Sequence, residues 1–217
     1  IYILNDYFDI EDDRQHPKKK FRPLASGAIS KQQALGIMAI LFITGFALMA
    51  SVSLEATGIL ATYAIMNIAY SMHLKHIAIL DVTIIAAGFV LRLFVGSAAT
   101  GIPLSQWIVV MTFLLALFMA LAKRRDDVLI YLETGKKMRK VIDGYNLQFL
   151  DAAMAIMASV VIVAYTIYTT SPEITEKFHT HYLYLTALFV ILGIMRYLQI
   201  AFVHLDSGSP TKIVLKD

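Results

Sequence analysis

Six apolar stretches, running roughly over 34–53, 55–72, 77–98, 104–122, 147–170 and 181–203, limit what this chain can become more than any other feature. Each approaches the roughly 20 residues that a helix rising about 1.5 Å per residue needs to cross a hydrocarbon core. A backbone inside lipid must satisfy its own N–H and C=O groups, so stretches of this length fold as helices. Composition agrees: 16% charged residues is well below the roughly 25% of soluble domains, which excludes an ordinary soluble domain. The expected fold class is all-α, a polytopic transmembrane helical bundle of six full membrane helices plus a helix stub. The stub is Ile1 to Leu4, read as the tail of an earlier span. The whole of 1–217 is expected to be a single integral-membrane domain, truncated at its N-terminus and, after the polar tail Ser207 to Asp217, at its C-terminus as well. With no cysteine, disulfides and thiolate metal sites are excluded.

Orientation follows from the basic residues, because cytoplasmic loops retain Lys and Arg. Arg14, Lys18, Lys19, Lys20, Arg22 and Lys31 fall at 11–33, and Lys75 follows the second span. Lys123, Arg124, Arg125, Lys136, Lys137, Arg139 and Lys140 fall at 123–146, and Lys212 and Lys216 in the tail. The alternate loops, Ser53 to Glu55, Thr100 to Pro103 and Ser171 to Thr180, hold only Lys177 between them. Every second loop is basic, and both long charged loops are expected to face the cytoplasm.

The first charged loop opens on Asn5-Asp6-Tyr7-Phe8-Asp9-Ile10-Glu11-Asp12-Asp13-Arg14 and runs into His16-Pro17-Lys18-Lys19-Lys20-Phe21-Arg22-Pro23. On a helix turning about 100° per residue, Asp6, Asp9 and Asp13 at i, i+3 and i+7 share one face. Three like charges on one stripe repel unless a cation sits among them. Their hard oxygens suit Mg²⁺, which takes one or two carboxylates together with substrate phosphates and water. The Lys/Arg run, Lys19 and Arg22 included, would then hold phosphate oxygens, with Pro23 fixing the backbone beside a guanidinium able to bind bidentately. The plainer readings are a solvated acidic helix end and, for Lys18 to Lys20, a topology signal that touches anionic lipid.

A second segment, Lys123-Arg124-Arg125-Asp126-Asp127 with Glu133 and then Lys136-Lys137-Met138-Arg139-Lys140, places acids beside bases again, 120 residues after Asp6. Interleaved charges at a helix end fit a second Mg²⁺–phosphate contact in Lys123 to Asp127, and a solvated amphipathic helix in Lys136 to Lys140. Two such loops on one face are expected to converge on one ligand. Over 55–72, Tyr63, Asn67 and Tyr70 recur at i, i+4 and i+7 and lead to Lys75. Tyr63 and Asn67 read as interhelical hydrogen-bonding groups, while Tyr70 and Lys75, at the depth of the acids, read as substrate contacts. Asp81 falls in a first helical turn, where the dipole favours a capping carboxylate. Arg92 reads as a structural cation that snorkels or pairs with a neighbouring helix, with Gly88 and Gly96 beside it allowing close packing. His73, His76, His179 and His181 form no ligand set.

Asn5-Asp6-x-x-Asp9-x-x-x-Asp13 closing a membrane helix, followed by Arg22-Pro23-Leu24 and Gly27, resembles the first signature of the UbiA superfamily of intramembrane prenyltransferases. Four further runs resemble its decaprenyl-phosphate phosphoribosyltransferase branch: Asp13-Arg14-x-His16-Pro17-x-Lys19-x-x-Arg22-Pro23, Tyr70-Ser71 with Leu74-Lys75-His76, Gly88-Phe89-Val90-Leu91-Arg92, and Ala122-Lys123-Arg124. The resemblance implies a bundle of about nine helices in the whole family member and a Mg²⁺-dependent transfer, with Asp6, Asp9 and Asp13 holding the metal on a pyrophosphate. It makes these three and Asp127 the candidate catalytic acids, and Asn5, Lys19, Arg22, Tyr70, Lys75, Lys123, Arg124 and Asp126 the candidate substrate contacts. The second, DxxxD motif of aromatic prenyltransferases is not matched, which favours the phosphoribosyltransferase branch and leaves open which of Asp126, Asp127 and Glu133 acts. The implied partners are a polyprenyl phosphate lipid and phosphoribosyl pyrophosphate, with no nucleic acid. The implied location is a bacterial inner membrane, with the active site facing the cytoplasm.

The chemistry suits the residues. Breaking a bond to pyrophosphate builds charge on the leaving group, which Mg²⁺ and Lys/Arg clamps stabilise without a protonatable catalyst. A phosphate acceptor is already ionised and needs no general base. The nearest alternative is an aromatic prenyltransferase that moves a polyprenyl group from its diphosphate. An ion-coupled transporter, the alternative of another class, places its charges near the bilayer midplane at broken helices, unlike the acids here.

Overall fold

The computed structural model describes residues 1–15, 19–135 and 140–205. His16, Pro17 and Lys18, the basic run Lys136 to Arg139, and the tail with Lys212 and Lys216 lie outside the described residues. Helices and turns make up the rest, with no strand among the described residues, so the protein is all-α. Contacts group the chain into two compact units, Ile1–Leu104 with Met138–Val141, and Ser105–Lys137 with Ile142–Asp217.

The first unit begins with two short helices, α1 (Tyr2–Phe8) and α2 (Ile10–Gln15), followed by a 3₁₀ turn at Lys19–Phe21 and α3 (Pro23–Ser26). Pro23 opens α3 at a position that needs no N–H, and Gly27, at φ 82, ends it. Ile10, Leu24 and Ala34 are buried together, with Ile3, Tyr7 and Ile29 packed on them, which pins the acidic segment onto the start of α4 (Lys31–Val52). A reciprocal cap starts α4: Ser30 Oγ accepts from Gln33 N at 3.2 Å, and Ser30 N donates to Gln33 Oε1 at 2.9 Å. Ser53 Oγ then caps α5 (Leu54–Met72) by accepting from Ala56 N at 3.1 Å. A 3₁₀ turn at Leu74–His76 and Ile79, a β-branched residue at φ 69, lead into α6 (Leu80–Thr100). Helices α5 and α6 pack on each other, and both bury small residues, Ala56 and Ala64 on α5 and Ala86 and Gly88 on α6.

In the second unit α7 (Gln106–Thr134) packs on α8 (Leu147–Thr170), which also contacts α9 (Pro172–Phe178) and α10 (Ala187–Phe202). Ser105 Oγ caps α7 through Trp107 N at 3.3 Å, and Asn146 Oδ1 caps α8 through Phe149 N at 2.7 Å.

Among the described residues five segments are long and apolar enough to cross a membrane: Lys31–Val52, Leu80–Thr100, Gln106–Thr134, Leu147–Thr170 and Leu183–Phe202. The expected span at 55–72 is helical, but Glu55, Tyr63, Asn67 and Tyr70 hold α5 below the same apolarity. Two boundaries differ from expectation. The second charged segment does not begin as a loop at 123; α7, 29 residues long, continues through it to Thr134, where Gly135 at φ 69 ends the helix. The connection at 171–180 is not plain loop either, because Pro172 starts α9 there.

Candidate functional site

The acidic stretch lies where α1 gives way to α2. Asp9, at φ −99 and ψ 7, sits between them, so the expected unbroken helix is interrupted at the middle carboxylate. Helical hydrogen bonding nonetheless carries across the break, from Asp9 N to Asn5 O at 3.0 Å and from Asp13 N to Asp9 O at 2.7 Å. The three carboxylates consequently divide between two cations. Arg22 Nη1 donates to Asp6 Oδ1 at 2.7 Å and to Asp13 Oδ2 at 2.9 Å, while Lys75 Nζ donates to Asp9 Oδ1. Asn5 Nδ2 donates to the other oxygen of Asp9 at 3.0 Å and holds its plane.

These contacts bring four separate pieces of the chain together: α1/α2, Arg22 at the mouth of α3, Lys19 in the preceding turn, and Lys75 in the turn between α5 and α6. Lys19 attracts Asp6 electrostatically, as Arg22 does. Arg14 fastens the assembly from outside, its Nε donating to Ala25 O at 3.1 Å. Asp13 and Lys75 are buried, whereas the Asp6 side chain keeps 26% of its surface in contact with solvent, which leaves a way in. Burial pushes the Asp6 carboxyl above its ordinary range; Arg22 opposes this, and Asp13 and Asp9 add to it.

Among the described residues no three Asp, Glu or His side chains are grouped closely enough to hold a metal ion. Asp6 and Asp13 do, however, aim hard oxygens at one cationic point, now filled by the Arg22 nitrogen. A two-carboxylate site completed by phosphate and water is what Mg²⁺ ordinarily accepts, so the donor set fits that ion. One guanidinium nitrogen of Arg22 bridges the two carboxylates.

Elsewhere in this unit several expectations change. Asn67 does not bond across helices; its Nδ2 donates to Tyr63 O at 2.8 Å, one turn back on its own helix. Tyr63 does reach across, its hydroxyl accepting from Arg92 Nη2 at 2.6 Å and Nε at 3.2 Å, which bears out Arg92 as pairing with a neighbouring helix. A Cβ added at Gly88 would meet Tyr63 and Met66 at 3.5 and 3.6 Å, ordinary contact distances, whereas Gly96 has open space and no close packing to permit. Asp81 lies in the first turn of α6, fully buried, although the cap position itself belongs to Ile79. Tyr70 is half-buried on α5.

In the second unit Lys123, Arg124, Asp126 and Asp127 all lie on α7. Arg124 is buried and its Nη1 donates to Asp127 Oδ2 at 2.6 Å, one turn away. Lys123 is exposed, Asp126 and Asp127 are half-buried, and Glu133 is exposed near the helix end. Arg125, given no separate role from sequence, is buried and spans three helices: Nε donates to Asp151 Oδ1 at 2.6 Å, Nη1 donates to Ala201 O at 2.7 Å, and the guanidinium stacks on Phe202 at 4.9 Å. The signal for Asp151 was present: it is an acid one turn inside an otherwise apolar helix.

The model of the UbiA prenyltransferase family matches residues 1–212. The chain belongs to that family. A decaprenyl-phosphate phosphoribosyltransferase of Mycolicibacterium smegmatis is 31% identical over all of this chain and 70% of its own length. Its counterpart in Corynebacterium glutamicum is 33% identical over 77% of this chain and 51% of its own length. Among solved structures, a UbiA homologue from Archaeoglobus fulgidus bound to DMAPP and Mg²⁺ superposes with a TM-score of 0.70 at 18% identity, over 92% of this chain and 69% of that one. At that identity the likeness concerns the fold. This UbiA family member is an integral membrane protein and a transferase, which sets the transporter alternative aside.

Proposed function

We propose that this chain transfers phosphoribose from phosphoribosyl pyrophosphate to a polyprenyl phosphate, with release of pyrophosphate. Support comes from relatives that carry this activity in their names and align with all or most of the chain. The observation that carries the site is the aim of Asp6 and Asp13 at one cation position beside the Asp9–Lys75 pair. In the reaction an oxygen of the acceptor phosphate bonds to C1 of the ribose while the C1–O bond to pyrophosphate breaks. Pyrophosphate leaves with the electron pair.

Asp6 and Asp13, with Asp9 beside them, would hold Mg²⁺, which when bound neutralises pyrophosphate charge and stabilises the leaving group. Arg22 then exchanges its two carboxylates for phosphate oxygens, a move within reach of its own side chain. Lys75 orients one oxygen of Asp9, Asn5 fixes the other, and Lys19 adds positive charge at the pyrophosphate. Tyr70 is assigned to substrate contact at the same end of α5. In the second unit Lys123, Arg124 and Asp126 are assigned to substrate and Asp127 to catalysis, Arg124 fixing the orientation of Asp127. The alternation of basic loops orients the site to the cytoplasmic face of a bacterial inner membrane.

The test supplies the full-length protein in membranes with phosphoribosyl pyrophosphate labelled in its sugar, or with a labelled prenyl diphosphate. Sugar label entering the lipid extract supports phosphoribosyl transfer. Incorporation of the prenyl label alone overturns it in favour of prenyl transfer, the chemistry in the family's name.

A further inference from the structure

Arg92 stands 12 residues into α6, inside one of the five apolar spans. An ionised side chain there is costly and marks a site that uses the charge. Its contacts among the described residues are all neutral: two hydrogen bonds to the Tyr63 hydroxyl, the faces of the Tyr63 and Phe89 rings, each 5.3 Å away, and the nearby phenol of Tyr2. No carboxylate lies among them. The guanidinium is thus held in place from several sides while its positive charge stays uncancelled, and it remains exposed. A bidentate donor fixed in this way is built for a tetrahedral oxyanion.

Its place matters as much as its charge. Tyr2, whose phenol lies near Arg92, precedes Asp6 by four residues on α1, so Arg92 reaches the helix that carries Asp6. A donor with pyrophosphate at one end of its pentose and phosphate at the other offers a second anion to such a cation, as does an acceptor phosphate brought alongside the pyrophosphate.

We infer that Arg92, positioned by Tyr63, binds a phosphate monoester, either the sugar phosphate of the donor or the phosphate of the lipid acceptor. The choice of these two sources rests on the phosphoribosyl-transfer reading; the anion site itself rests on the contacts of Arg92. Binding is measured on full-length protein in detergent without divalent metal, using ribose 5-phosphate and farnesyl phosphate as probes, for wild type, R92K, R92Q and Y63F. Loss of one charged hydrogen-bonding group predicts about 10- to 100-fold weaker binding of one probe in R92Q, with a smaller loss in R92K and in Y63F, at unchanged pyrophosphate binding. Weakened ribose 5-phosphate binding assigns the donor, and weakened farnesyl phosphate binding assigns the acceptor. Folded R92Q and R92K that bind both probes as wild type does overturn the site, even if phosphoribosyl transfer is found. If wild type transfers no phosphoribose but R92Q still loses a probe, the anion site stands and the transfer reading falls.

Discussion

The two charged segments look alike in sequence and are used differently. In the first unit the three spaced aspartates meet cations from other elements: Asp6 and Asp13 share Arg22, 16 and 9 residues away, and Asp9 meets Lys75, 66 residues away. In the second unit Arg124 bonds Asp127 within one helical turn, and Arg125 ties α7 to α8 and α10. A cluster assembled from distant elements can exchange partners when a ligand arrives, because its geometry belongs to the fold rather than to one helix. A pair made within a turn also supports its own helix. Similar residue order therefore does not imply similar duty.

The largest effect should come from the bridged acids. In full-length enzyme Asp6→Asn is expected to lower kcat/KM for transfer about 10²- to 10³-fold, the scale of removing one preorganised electrostatic group, with little change in Tm. Asp127→Asn should cost about tenfold, since its charge is already matched by Arg124. Equal losses in the two variants would break the distinction between the segments.

Next is the clamp on α7. Arg125→Met removes a buried guanidinium and leaves the Ala201 carbonyl and Asp151 without their donor, which predicts a loss of about 2–3 kcal/mol in a chemical or thermal denaturation series. Activity per folded molecule should stay within a few fold. Adding Asp151→Leu should recover part of the stability; a double variant as unstable as the sum of its parts would show that the two side chains are not coupled.

A smaller effect tests orientation within the first cluster. Asn5→Ala frees one oxygen of Asp9, and the expected result is roughly a 5- to 10-fold fall in kcat/KM, carried mostly by the donor KM. If KM holds and Tm drops instead, Asn5 serves the helix and not the site.

Much of this arrangement was visible in the residues alone. Apolar runs of membrane length forced helices where the structure has them. The spacing of Asp6, Asp9 and Asp13 puts the three acids on one face, yet helical periodicity could not reveal that the middle aspartate interrupts the helix. Partners 66 residues apart, such as Asp9 and Lys75, leave no local trace, because a turn between α5 and α6 brings them together. Asn67 was misjudged for a different reason: in an apolar helix its amide finds the carbonyl one turn back before it finds another helix. The run at 123–134 read as a loop because charge density usually marks the end of a span, whereas Arg124 and Asp127 at i, i+3 help the helix continue.

The last and smallest effect concerns pH. Burial places the Asp6 carboxyl above the ordinary aspartate value of 3.8, with the Arg22 charge pulling it down. Attraction of a cation to Asp6 needs the ionised form, so activity should fall as pH drops through a point higher than that of a free aspartate. Arg22→Gln removes the opposing charge, lifting the carboxyl further, and the acid limb of the kcat/KM profile should move upward by a fraction of a pH unit. Arg124→Gln removes an equal charge from the second unit and should leave that limb where it is. A limb that moved with Arg124→Gln and ignored Arg22→Gln would mean that the titrating group belongs to α7, and the duties assigned to the two segments would have to be exchanged.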